Sequence, residues 1–138
     1  MTPIWWPEPV AGDIVWCRFP DGIHPRPKPR PVLVLMVYDD DAPEFVVNIA
    51  YGTSKRTTTL FQGEFSILQS SNKAAYQAAG LSYDTKFDLK HAIDLPYTDE
   101  WFSVPPMAPH GQVPKLGTLH PSLVPAVQAA YRGIRAQS

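Results

Sequence analysis

Residues 18–30 bring together the side chains best suited to chemistry on a phosphate. This stretch has a net charge of +3, because it holds one carboxylate, Asp21, and four cations: Arg18, Arg26, Lys28 and Arg30. A guanidinium group stays charged and offers a planar fork that fits two phosphate oxygens. The pattern predicts a local phosphate-binding patch in a chain whose overall net charge is only −1.

His24 is the one residue of this stretch whose type commonly exchanges a proton near neutral pH. It is either a general acid or base, or a solvated residue of a proline-rich loop. Lys55 and Arg56 extend the basic character, directly after the hydroxyl residues Thr53 and Ser54. Hydroxyl groups donate to phosphate oxygens, but these two residue types are also common in ordinary turns. Residue types alone leave both interpretations open.

Two apolar runs are predicted to position these groups. Residues 32–38 are apolar on both faces, which is typical of a central buried strand, and residues 44–50 are predicted to pair with them in a hairpin. The pairing is symmetric about the turn at residues 39–43, which carries three carboxylates. We therefore expect Arg30 and Thr53 to lie at the same end of the ladder.

The other expected elements are short. Residues 20–29 are predicted to be an extended loop because proline recurs there, and residues 103–121 are expected to be irregular for the same reason. The remaining predictions are strands over 14–19, 57–61 and 63–68, an edge strand over 85–89 continued by 92–95, and helices over 70–80 and 120–135. Together they indicate a mainly β, SH3-like antiparallel barrel over about 12–95, with an inserted helix and a C-terminal helix.

Composition sets the limits for this single domain, 1–138. The chain is 44% hydrophobic and 18% charged, so it can bury a core. Cys17 is its only cysteine, which excludes an internal disulfide and suggests a buried thiol. No apolar run approaches the roughly 20 residues that span a bilayer, so a soluble cytoplasmic protein is expected.

Neither a metal nor another cofactor is expected. His91, His110 and His120 have no ligand spacing, and the carboxylates at 39–41 lack the alternation of a calcium loop. The aromatic pairs Trp5-Trp6 and Trp101-Phe102 have two interpretations. They either stack nucleobases or lock a terminal arm onto the barrel, and we favour the second.

Three segments in order resemble the PemK/MazF family of type II toxin–antitoxin systems. Gly12-Asp13-Ile14-Val15-Trp16 is similar to the opening strand of that family. Arg30-Pro31-Val32-Leu33-Val34-Leu35 is similar to its second strand, and Ile49-Ala50-Tyr51-Gly52-Thr53-Ser54 stands where the family strand ends in hydroxyl residues. The resemblance covers residues 12–56 and fades after Phe61.

The resemblance implies a metal-independent endoribonuclease that cleaves single-stranded RNA through the substrate's own 2′-hydroxyl. It assigns the stabilisation of the phosphorane to Arg30 and Thr53. Ser54 is a second hydroxyl nearby, and His24, from its residue type, is the candidate acid or base. The expected RNA-binding residues are Arg18, Arg26, Lys28, Lys55 and Arg56. The expected protein partners are an antitoxin and a second copy of the chain in a homodimer.

A second hypothesis is a non-catalytic barrel that binds protein or nucleic acid. The proline-rich loop, the insert 64–80 and the extension 96–138 are not typical of the minimal toxin and favour this hypothesis. The retained Arg30, Thr53 and Ser54 favour the enzyme.

Overall fold

The structure is a computed structural model that describes residues 2–39 and 41–135. Asp40, in the predicted carboxylate turn, lies outside the described residues. The elements are, in chain order, β1 (Asp13–Cys17), β2 (Arg30–Tyr38), β3 (Val46–Thr53), β4 (Glu64–Ile67), α1 (Lys73–Ala78), β5 (Thr85–Pro96), β6 (Lys115–Thr118), a 3-10 turn (Pro121–Leu123) and α2 (Val124–Arg135). In the described part of the chain, no helix is both long and apolar enough to cross a membrane.

The six strands form one antiparallel sheet in the order β4-β5-β3-β2-β1-β6. The mainly β, antiparallel prediction is thus confirmed. The predicted hairpin is also confirmed: β2 and β3 pair from Val32 opposite Tyr51 to Tyr38 opposite Val46. A register shift between Val34 and Met36 lies within this pair.

Both faces of the sheet are covered, which explains why β2 is apolar on both sides. One face packs Ile14, Leu33 and Ala50 with the two helices. On the other face, Val15, Val32 and Val34 pack with side chains from the start of the chain, from the end of β5 and from the segment that follows β5. Each fully buried aliphatic side chain contributes about 1.5–3 kcal/mol, so both clusters hold the strands in register.

The N-terminal arm is fixed to the sheet by its tryptophans. Trp5 bridges to Thr98, and the Trp6 side-chain Nε1 donates to the carbonyl of Phe102 at 3.1 Å. The Trp6 backbone N–H also donates to the carbonyl of Tyr97 at 3.0 Å. The interpretation that these aromatic residues lock the arm is confirmed.

Both predicted helices are present. Asn72 caps α1 by accepting from the Ala75 N–H at 3.1 Å, and Gly80 ends the segment with a φ of +69°. A side chain at Gly80 would also collide with the carbonyl of Leu116, so only glycine fits there. The 3-10 turn leads into α2, and Leu123 and Ala130 bury the apolar side of this segment.

Residues 57–61 were expected to form a strand, and this prediction is wrong. They form turns, and the segment is held from outside. The Lys86 ammonium donates to the carbonyl of Thr59 at 2.9 Å, and Glu64 accepts from the Phe61 N–H at 2.6 Å. The local β propensity is overridden by these tertiary hydrogen bonds.

The edge-strand prediction for residues 85–89 is also wrong. β5 lies between β4 and β3, and with 12 residues it is longer than either strand of the hairpin. Its polar positions resemble those of an edge strand, but the Lys86 side chain is buried and paired with Glu64 at 3.1 Å. A buried charge with a partner cannot be told from a solvated charge in the sequence.

The extension beyond residue 96 contributes to the sheet, contrary to the expectation of irregular chain over 103–121. β6 lies in this extension and pairs with β1, with Asp13 opposite Thr118. Four residues after a proline are too few to display a strand alternation, and Gly117 weakens the signal further.

Candidate functional site

Arg30 is the first residue of β2, and its side chain is half-buried. Its backbone pairs with that of Cys17 on β1. Its guanidinium carbon lies 6.0 Å from the ring centroid of Tyr51, which in turn packs on Phe19 at a centroid distance of 4.9 Å. The aromatic contact limits the conformations that the guanidinium can adopt.

Thr53 is the last residue of β3, and Arg30 is the first residue of β2. Because the strands are antiparallel and Val32 pairs with Tyr51, both residues lie at this end of the hairpin, where Gly52 and Pro31 approach each other closely. The sequence prediction that Arg30 and Thr53 lie at the same end of the hairpin is confirmed.

Gly52 makes this close approach possible. A Cβ added at Gly52 would collide with the carbonyl of Pro31 and would lie 2.9 Å from the Cε1 atom of Phe87. Any larger residue would therefore push β3 away from the start of β2 and separate Thr53 from Arg30.

The Thr53 hydroxyl takes part in the turn that follows. Its Oγ1 accepts from the Lys55 N–H at 3.2 Å. A hydroxyl that accepts one hydrogen bond keeps its own proton for donation. Lys55 and Arg56 are exposed in this turn, so two cations directly follow the threonine.

Ser54 opens onto a cavity of about 450 Å³ at this end of the sheet, to which Arg30 also contributes. The other polar side chains of its lining are Ser82, Tyr83 and Thr85. Its apolar lining includes Trp16, Leu81, Pro106, Met107 and Leu116. Neither a carboxylate nor an imidazole is among the described lining residues.

Two residues that line this cavity, Tyr83 and Met107, were not predicted from the sequence. Tyr83 lies just before β5, and Met107 lies in the loop before β6. Neither segment has a motif, and the loop returns beside Trp16 through the pairing of β6 with β1 and the Ser103–Trp16 hydrogen bond. The one available signal was the cluster of prolines around Met107, which marks a shaped loop.

His24 is not among the residues that line this cavity. It lies exposed in a tight turn, where its Nδ1 is 2.7 Å from Asp21 Oδ2 and its backbone N–H donates to Asp21 Oδ1 at 2.9 Å. The hydrogen bond from the His24 side chain, with help from the backbone, lowers the pKa of Asp21 well below its ordinary value. The structure thus pairs His24 with Asp21 rather than with Arg30.

The predicted basic patch is divided. Arg18 and Arg26 line a second cavity, of about 540 Å³, together with Asp99 and Glu100. Arg18 Nη1 lies 3.5 Å from the Asp99 carbonyl, so the contact is weak. Lys28 is exposed on the loop between the two cavities.

The chemistry of the other reactive groups is limited by burial. Burial strongly raises the pKa of the Cys17 thiol, which keeps it protonated and poorly nucleophilic. Among the described residues, no group of three or more His, Cys, Asp or Glu side chains is placed to hold a metal ion. At this end of the sheet the Arg30 guanidinium, the hydroxyls of Thr53 and Ser54 and the exposed cations Lys55 and Arg56 are suited to contact a phosphate.

The chain matches no protein-family model and no curated protein.

Proposed function

We propose that this chain is a metal-independent endoribonuclease that cleaves single-stranded RNA, on an SH3-like barrel of the PemK/MazF toxin kind. The observation that supports it most is that Arg30 and Thr53 lie at the same end of the β2–β3 hairpin, where Arg30 and Ser54 line a cavity with no carboxylate among its described lining residues. An always-charged fork beside a hydroxyl donor is suited to a phosphate that gains negative charge.

In the proposed reaction the 2′-hydroxyl oxygen of the substrate bonds to the adjacent phosphorus, and the bond from phosphorus to the 5′-oxygen breaks. The products are a 2′,3′-cyclic phosphate and a 5′-hydroxyl end. Arg30 stabilises the phosphorane intermediate through two parallel N–H donors, and the Thr53 hydroxyl donates a hydrogen bond to a phosphoryl oxygen. The contact of Arg30 with Tyr51 holds the fork before substrate binds.

Water carries the protons in this scheme. The described residues that line the cavity include no group that titrates near neutrality. The 2′-hydroxyl proton therefore passes to solvent, and the departing 5′-oxygen takes a proton from solvent. Catalysis then rests on electrostatic stabilisation, which is usually the largest single contribution.

The proposed RNA path follows the exposed cations on either side of the site. Lys28 precedes Arg30, and Lys55 and Arg56 follow Thr53. Arg18 and Arg26 contribute less to RNA binding in this proposal, because Asp99 and Glu100 share their cavity and offset their charge.

The proposal includes two protein partners, a second copy of the chain and an antitoxin. Exposed apolar side chains such as Ile23, at 80% exposure, and Phe61, at 63%, are compatible with protein contacts. We expect light scattering of the purified protein to give the mass of a dimer. A monomer at micromolar concentration would remove the homodimer from the proposal.

A non-catalytic barrel that binds nucleic acid is the second candidate. The pairing of His24 with Asp21 favours it, because this pair leaves the site without a general acid or base. It predicts that RNA binds at Arg30 and stays intact.

The two candidates are separated by incubating purified protein with varied single-stranded RNAs in EDTA. We expect cleavage that leaves 2′,3′-cyclic phosphate ends and that is abolished by Arg30→Ala. Because Arg30 lies at a strand end outside the core, we expect the variant to keep its fold, and circular dichroism checks this. Intact RNA with the wild-type protein, and no effect of its induction on bacterial growth, would reject the enzyme.

A further inference from the structure

The loop at residues 105–109 holds a side chain in solvent at the expense of backbone strain. Met107 and Ala108 have φ values of +70° and +41°, in the region that side chains of L-residues disfavour. Met107 is nevertheless 96% exposed. No packing of its own side chain therefore accounts for this conformation.

Hydrogen bonds fix the loop in place. The Ala108 N–H donates to the carbonyl of Pro105 at 3.0 Å, and the Ser103 N–H donates to the carbonyl of Trp16 at 3.2 Å. The second bond ties the base of the loop to the strand whose Trp16 lines the cavity. Strain that the surroundings maintain at a cavity rim is typical of binding sites.

Tyr83 stands on the same cavity and is 73% exposed. Two large, exposed, apolar side chains thus share one rim, from segments that are distant in sequence. A thioether packs well on an aromatic ring, and a phenol ring offers a flat stacking surface. The rim is suited to hold a planar ring between Tyr83 and Met107.

The interior of the cavity narrows the ligand class further. Its volume of about 450 Å³ is in the range of small-molecule sites. Ser54 and Ser82 provide hydroxyls for the polar edge of a ring, and Arg30, which also lines the cavity, lies with its guanidinium beside Tyr51. A lipid tail would leave the serine hydroxyls without a partner, whereas a nucleotide carries polar ring edges for them and a phosphate for Arg30.

We propose that Tyr83 and Met107 clamp one nucleobase of the substrate, on a nucleotide whose phosphate lies at Arg30. This inference rests on the proposed function for the identity of the substrate. The clamp makes the extension 96–138 part of the substrate site, because its loop supplies Met107.

Methyl labelling of methionine tests the clamp directly. The chain has three methionines, and Met36, which is 52% exposed on β2, provides an internal reference. The Met107 methyl resonance is assigned by its loss in Met107→Leu. Full-length protein is titrated with each of the four ribonucleoside 5′-monophosphates, and separately with ribose 5-phosphate, which has no base.

We expect at least one nucleotide to move the Met107 resonance upfield by ring-current shielding, without moving that of Met36. Ribose 5-phosphate should leave Met107 in place. Tyr83→Ala should weaken nucleotide binding by roughly tenfold, as loss of a stacking partner does. The matched variant Tyr38→Ala should not, because Tyr38 is an exposed tyrosine that lines a different cavity.

The outcomes separate this inference from the proposed function. If Met107 is not moved by any nucleotide at millimolar concentration, or moves equally with ribose 5-phosphate, the clamp is rejected, whether or not RNA is cleaved. If the nucleotide shift and the Tyr83 effect appear but RNA stays intact, the clamp stands and the nuclease is rejected.

Discussion

Two cavities lie along the proline-rich segment 25–31, and each contains arginine. The cavity lined by Arg18 and Arg26 also contains the carboxylates of Asp99 and Glu100. The cavity at Arg30 contains hydroxyls and aromatic rings and, among its described lining residues, no acid. The arginines of the first cavity are therefore expected to attract a phosphate less strongly than Arg30, because the neighbouring carboxylates offset their charge.

The comparison also shows why charge counting along the chain was misleading. Residues 18–30 carry a net charge of +3, but the fold distributes these cations over different surfaces and brings Asp99 and Glu100 to two of them. An electrostatic footprint belongs to a surface rather than to a segment. If the cavity at Arg30 is the functional one, changes at this end of the hairpin should affect RNA cleavage more than changes in the loop at His24.

Removing the Thr53 hydroxyl should have a large effect on cleavage. We expect Thr53→Ala to lower the rate by about 10²-fold, because the phosphorane loses one positioned donor. Thr53→Ser keeps the hydroxyl and should retain most activity. Equal activity of the alanine and serine variants in the RNA assay would show that the hydroxyl is not used.

Adding one methyl group at Gly52 should damage the site through the fold. Gly52→Ala forces a clash with Pro31 and Phe87, and we expect a loss of about 1–3 kcal/mol in the free energy of unfolding. Gly133→Ala is the matched control, since a Cβ there meets Gln62 at an ordinary 3.4 Å in a helix. Urea denaturation measures both, and a Gly52→Ala protein as stable as the wild type would contradict the close approach of β2 and β3.

His24 tests the division between the loop and the site. We expect His24→Ala to change the cleavage rate by less than tenfold, whereas loss of a general acid or base costs about 10²–10⁴-fold. The pH profile of the wild type provides the second reading. A large loss, together with a profile that follows an imidazole, would restore the hypothesis that His24 is catalytic.

The smallest effect is expected at Asp21, whose pKa is lowered mainly by the His24 hydrogen bond. A lowered pKa stabilises the fold above the ordinary value of 3.8, and this contribution is lost as the pH falls through the folded-state pKa. Asp21→Asn should therefore slightly lower the melting temperature at pH 7, and the difference should become smaller as the pH falls below 3.8. A difference that stays constant over this range would show that the carboxylate charge is not its cause.

The sheet was predicted where strands are long and apolar. β2 and β3 were identified because a run that is apolar on both faces has few other structures available. The symmetry of their pairing about the turn places Arg30 and Thr53 at the same end of the hairpin. β5 and β6 were misread because a buried ion pair at Lys86 resembles surface polarity and because β6 is four residues long. Such features depend on partners that are distant in sequence.

The site was predicted only in part, for the same reason. Arg30, Thr53 and Ser54 follow from one local hairpin, so sequence reasoning reached them. Tyr83 and Met107 reach the cavity through α1, β5 and β6, whose packing no local pattern encodes. The pairing of His24 is a local feature, because Asp21 lies three residues before it and Asp-Gly is typical of such turns.

The central claim is that the Arg30 guanidinium, and not basic charge in general, acts on the phosphate. The most direct test compares the RNA cleavage rates of Arg30→Lys and Arg26→Lys, two charge-preserving changes in the same proline-rich segment. We predict that Arg30→Lys loses nearly all activity, because an ammonium cannot form the two-pronged contact, while Arg26→Lys matches the wild type. Equal rates for the two variants would contradict the account.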